Sequence, residues 1–119
     1  MSKQITYPYD GKDYTLEFTA DSIKTMVRGG FRVEDIEEKS IIVIPDLFKG
    51  AFLAHHSNVK AEKREEMWRK EKHKKKLIPL LIDMFTSTYT AYLGVDDDED
   101  DEEDEGNADW TPNWTPEDA

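Results

Sequence analysis

Apolar and polar residues alternate with a period of two near the start of the chain and change to a helical period after Thr19. In "KQITYPYDGKDYTLEFT", Tyr14, Leu16 and Phe18 alternate with Thr15 and Glu17, and Asp10-Gly11 supplies residues that tolerate positive φ in a tight turn. This pattern predicts a β-hairpin. Pro8 has no N–H to give a ladder, so the first arm should lie at a sheet edge or stop pairing there. Thr19 is a good N-cap, Asp21 suits the positive end of a helix dipole, and Ile23, Met26 and Val27 follow at i, i+3 and i+4. With Gly29-Gly30 as a left-handed stop, a short helix is predicted from Ala20 to Arg28, with Phe31 folding back onto it.

The middle of the chain is less regular. "RVEDIEEKS" reads as a charged connector anchored by Val33 and Ile36, and "IIVI" reads as a short buried strand or an extended lead into the next helix, since four apolar residues cannot separate those readings. After Pro45, Asp46 can cap a helix through "LFKGAFLAHHS", where Leu47, Phe48, Ala51, Phe52 and His55 form a stripe. Gly50 within it costs up to ~1 kcal/mol relative to Ala, and close packing against a neighbour would be its reason. "NVKAEKREEMWRKEKHKKK" predicts an exposed helix bordering the core, with Val59, Met67 and Trp68 as its large apolar residues. "LIPLLIDMFTSTYTAYLG" carries Leu77, Leu81, Phe85, Tyr89 and Leu93 at every fourth position, with Ile78, Ile82 and Tyr92 beside them. It predicts the strongest helix, with Pro79 in its first turn or at a kink and Gly94 as its end.

These elements predict an α+β fold, an N-terminal β-hairpin packed on three to four α-helices. The expected core is Leu16, Phe18, Ile23, Val27, Phe48, Phe52, Leu81, Phe85 and Tyr89.

Charge divides the chain in two. Up to Val95 there are 16 Lys and Arg against 14 Asp and Glu, whereas residues 96–119 hold 13 acids and no base, giving the formal net charge of −11. The expected organisation is a compact domain over 1–94 and a disordered acidic C-terminal tail over 95–119 with two Trp-Thr-Pro triplets. Ten adjacent carboxylates repel one another, and the tail has little apolar surface to offset ~1–2 kcal/mol per residue of backbone entropy. There is no cysteine, so disulfides and thiolate metal sites are excluded. The start of the chain lacks a signal-peptide pattern, and no apolar run reaches the ~18 residues that span a bilayer, so an intracellular protein without a membrane partner is expected.

Candidate chemistry is sparse. His55 and His56 are neighbours pointing about 100° apart on a helix, and with His73 they have no carboxylate at zinc-like spacing. The acidic run lacks the glycine and hydrophobic positions of a calcium loop. No nucleophile elbow, phosphate loop or nucleotide fingerprint is present, so no catalytic, cofactor or metal residue is assigned and no enzyme is expected. Between Lys60 and Lys76 lie nine Lys or Arg and four Glu. Such a helix could neutralise phosphates with Trp68 stacking on a base, but the glutamates allow ion pairs along the helix and nucleic acid is disfavoured. Phe48 and Phe52 read first as core and second as a partner contact. Trp110 and Trp114 stand where no core is expected, and aromatics on a flexible string suit capture by a partner's apolar groove. The candidate partner-binding residues are therefore Trp110, Trp114, Phe48, Phe52 and Trp68. Homo-oligomerisation is left open.

The ordered blocks "YDGKDYTLEFTADSIKTM", "GF", "LFKGAFLAHH" and "LIPLLIDMF", then an acidic stretch running into "EGNADWTPNW", resemble a family of small proteins from tail-gene modules of phages and prophages of Gram-positive bacteria. The resemblance spans nearly the whole chain and implies a tail assembly chaperone. Such a protein binds the tape measure protein, keeps it soluble and helps recruit tail tube subunits. It acts in the host bacterial cytoplasm and is not expected in the mature virion. Chaperones of this kind are often made in two lengths by frameshifting, of which this chain would be the shorter. Two other readings accompany this one: a nucleic-acid-related regulator whose acidic tail masks the basic helix, and a structural subunit of the tail or head-tail joint.

Overall fold

A computed structural model describes residues 3–94 and 110–114. Strands β1 (Gln4–Tyr9) and β2 (Lys12–Glu17) form the hairpin, with Tyr9 opposite Lys12. The two turn residues, Asp10 and Gly11, both take positive φ, as a type I′ hairpin loop requires. Ile5 faces Leu16 and Tyr7 faces Tyr14, and all four are buried on one side of the sheet. The outer edge of β2 is covered: Glu17 N–H donates to the Ala51 carbonyl (3.0 Å) and Thr15 N–H to His56 Nε2 (2.9 Å).

Helix α1 spans Ala20–Arg28, as its local signals predict. Thr19 and Ser22 form a reciprocal capping box, and Phe31 N–H returns to the Met26 carbonyl while Gly30 N–H returns to Val27. Gly30, at φ 108°, supplies the left-handed residue of that closure. Phe31 is buried beside Phe85. A 3₁₀ turn at Val33–Asp35 leads to helix α2, Ser40–Gly50.

Helix α2 departs from expectation. "IIVI" is neither strand nor extended lead; it is helical, and Pro45 sits inside the helix rather than before it. An interior proline costs about 3 kcal/mol, here by removing the partner of the Ile41 carbonyl. Burial of Val43, Ile44, Leu47 and Phe48 offsets this, at about 1.5–3 kcal/mol for each large side chain. Ile41 is 85% exposed, so the interrupted flank lies open to water. The helix ends at Gly50, short of His55, and continues as turns. The expected reason for Gly50 holds: a Cβ there would stand 2.5 Å from Met26 Cε and Sδ.

The basic stretch is split into helix α3 (Ala61–Lys70) and the start of helix α4 (Lys74–Leu93), separated by Glu71–His73. Helix α3 does more than border the core, because Met67 is fully buried and Trp68 nearly so. In α4, Pro79 lies beyond the first turn. Its buried residues are Leu77, Leu80, Leu81, Met84 and Phe85. Tyr89 and Val27, both expected in the core, are exposed. An every-fourth-residue stripe overshoots a helical turn by about 40° per step, so from Leu77 it has rotated about 120° by Tyr89 and leaves the core.

The C-terminal boundary also needs correction. Thr111–Pro112 form a third strand, β3, antiparallel to β1 with Ile5 opposite Pro112 and Thr6 opposite Thr111, in the order β2-β1-β3. Residues 110–114 thus belong to the folded unit and not to a disordered tail, and β1 is central over the paired residues. Pro8 sits beyond the β3 pairing but within the β2 ladder, which passes through it opposite Asp13. The rest of the expected tail, 95–109 and 115–119, lies outside the described residues.

Candidate functional site

Two surfaces are candidates, and the first is made of residues whose pattern suggested core. Val27 on α1 and Tyr89, Tyr92 and Leu93 on α4 are 40–59% exposed and line one groove with Ile23 and Lys24, enclosing about 320 Å³. Tyr89 stacks on the buried Phe85 at 5.9 Å, so the groove is continuous with the core beneath. The Lys24 ammonium lies 4.8 Å from the Tyr92 ring centroid, which pins one wall. Concentrated in one place, such residues form a contiguous apolar patch suited to a partner's apolar helix face.

The residues singled out as partner-binding go elsewhere. Phe48 and Phe52 are 0% exposed and pack edge-on at 5.3 Å, with Tyr7 against Phe48 and Tyr14 against Phe52. Trp68 covers Phe48 at 5.3 Å and carries Lys74 over its outer face at 5.1 Å. All three side chains pack in the core. Trp110 is 4% exposed, so it does not await capture. Trp114 is half-buried, with Lys3 5.5 Å from its ring centroid. The indoles fold back because β1 offers an open edge and the body offers two carboxylates for their N–H groups.

Those carboxylates define the second surface. Trp110 Nε1–H donates to Glu71 Oε2 (3.3 Å), which also accepts His73 N–H (2.7 Å), while Glu71 Oε1 accepts the Tyr7 hydroxyl (2.6 Å). Trp114 Nε1–H donates to Asp83 Oδ2 (3.0 Å), which is ion-paired with Lys3 (3.0 Å). Between them, Asn113 N–H donates to the Gln4 carbonyl and Gln4 N–H to Asn113 Oδ1, each at 2.9 Å. Neither Glu71 nor Asp83 stood out in the sequence; their only signal is that two indole N–H donors needed acceptors.

The basic stretch is partly neutralised by its own glutamates. Glu65 pairs with Lys49 (2.7 Å) and Arg69 (3.3 Å), and Glu66 with Lys70 (3.6 Å). The hydrogen bond and charge of Lys49 hold the Glu65 carboxyl below its ordinary range. The Tyr9 hydroxyl donates to Glu66; that bond pushes the phenol up to about 12 and depresses Glu66. The histidines serve as hydrogen-bond partners: His55 Nε2 contacts the buried Glu17 at 2.5 Å, and His56 accepts from Thr15. Among the described residues no group of three or more His, Cys, Asp or Glu is placed to hold a metal ion, and no helix is long and apolar enough to cross a membrane.

No curated protein and no solved structure matches this chain. A family model described as a domain of unknown function (DUF5055) matches residues 1–114, a span that includes the returning segment and stops at Trp114. The chain belongs to this DUF5055 family.

Proposed function

We propose that the protein is a phage tail assembly chaperone that binds and solubilises a tape measure protein and helps recruit tail tube subunits in the cytoplasm of a Gram-positive host. The order of its sequence blocks supports this reading, and the observation that carries it is the exposed apolar groove of Val27, Tyr89, Tyr92 and Leu93. A tape measure protein is long and helical with an apolar side, and an uncovered apolar helix face aggregates. The groove offers such a face a docking surface by the helix-in-groove mode. Ten consecutive carboxylates at Asp96–Glu105 add repulsion between loaded complexes. The contact with client thus falls to the groove, and the buried Trp110 takes no part in it.

Co-expression with the tape measure protein of the same tail module tests the proposal. The client should move into the soluble fraction with the intact chain, and a Val27→Asp, Leu93→Asp variant should lose most of that effect while keeping its own helical signal. A client equally insoluble with and without the chain overturns the proposal. Purified virions should lack the chain by mass spectrometry; its stoichiometric presence would favour a structural subunit.

A further inference from the structure

The two carboxylates that anchor residues 110–114 have a common property: each keeps a partner from the body when the segment is taken away. Glu71 would retain the Tyr7 hydroxyl and His73 N–H, and Asp83 would retain Lys3. The β1 strand is held along all six of its residues by β2, whereas β3 adds a two-residue pairing. The acceptors, the strand edge and the indole slot are therefore all built by residues 3–94. A cleft of about 340 Å³ remains beside Trp110, bounded by Tyr7, Tyr9, Met67 and His73.

We infer that residues 3–94 form a receptor for an extended Trp-x-x-x-Trp peptide, and that Trp110–Trp114 is this chain's own ligand, held in cis and replaceable by the same segment of a second copy. The ligand adds a strand to β1, and specificity comes from two indole N–H donors four residues apart that reach Glu71 and Asp83. Fifteen residues separate Gly94 from Trp110 in sequence. The cis segment is joined covalently to its receptor, so a competing peptide becomes visible only when the cis indoles are removed.

The test uses the full chain carrying Trp110→Ala and Trp114→Ala, isotope-labelled and titrated with the synthetic peptide ADWTPNWTP. Saturable chemical-shift changes are expected at Gln4, Thr6, Glu71 and Asp83, with at least tenfold weaker binding for the peptide in which both tryptophans are alanine. Absence of saturable binding at millimolar peptide overturns the inference. So does loss of helical structure in the doubly substituted chain, which would make the segment part of the core. Hydrogen exchange in the unmodified chain gives an independent reading. The Asn113 and Gln4 amides that join the segment to β1 should exchange at least 100-fold faster than the Glu17 amide bonded to Ala51. Equal protection of the three amides contradicts a separable ligand.

Discussion

Replacing Phe48 by alanine discriminates sharply between a core residue and a binding residue. The ring is fully buried and meets Tyr7 at 5.4 Å and Phe52 and Trp68 at 5.3 Å, so its removal strips three aromatic neighbours of a shared partner. Burial of an aromatic side chain removes about 150–250 Å² from water, and at about 25 cal/mol per Å² this gives an upper bound of about 4–6 kcal/mol. Phe→Ala changes in packed cores cost about 3–5 kcal/mol including the cavity term. For a domain whose total stability is about 5–15 kcal/mol, that is a large fraction. At about 4–8 °C per kcal/mol for a domain of this size, the melting temperature should fall by about 12–40 °C. Urea titration followed by far-UV circular dichroism measures the loss, with Val27→Ala and Tyr92→Ala as controls that should stay within about 0.5 kcal/mol of the parent. If Phe48→Ala melts cooperatively within about 1 kcal/mol of the parent, the described packing is wrong and Phe48 returns to the surface.

Two further outcomes follow from particular contacts. His56 must be unprotonated at Nε2 to accept the Thr15 N–H, and burial, helped by the charges of His55 and Lys12, lowers its pKa. A histidine depressed in the folded state leaves stability intact above the unfolded value near ~6.5 and costs stability as pH falls below it, so melting temperatures at pH 7.5 and 5.5 should differ less in His56→Gln than in the parent. Gly50→Ala places a methyl 2.5 Å from Met26 Cε and Sδ, the flexible end of a buried side chain that must swing aside, and should destabilise by about 1 kcal/mol, at the low end of overpacking costs. In a Met26→Ala background the same change should become neutral or stabilising in urea titrations, and an unaltered cost there would refute the steric account.

What could be read from the sequence depended on how local its cause was. Helix α1 was legible to the residue because its cap, apolar spacing and stop all lie within a dozen positions. The hairpin was legible because the Asp10-Gly11 turn fixes a register that its alternation supports. The bounds of helix α2 were not legible because their cause is tertiary: burial of Val43 and Ile44 outweighs a proline that local rules place outside a helix, so the helix starts at Ser40 rather than after Pro45. Tyr89 and Val27 have core-like spacing, yet spacing does not reveal where a neighbouring helix stops covering a face. The segment at 110–114 had the weakest local signal, since its partners are Gln4, Glu71 and Asp83. Its tryptophans stand out in an acidic stretch, but their destination is set by acceptors that look like any other surface carboxylate.

The pairing of Ile5 with Pro112 gives synthesis a timetable. Ribosomes add about 5–20 residues per second, so on the order of ten seconds pass between the emergence of the first strand and of the pair that closes its far rim. During that interval the nascent hairpin offers unpaired backbone groups on that side, the kind of flank that recruits stray strands. A polypeptide released by premature termination before Trp110 would keep that adhesive rim permanently.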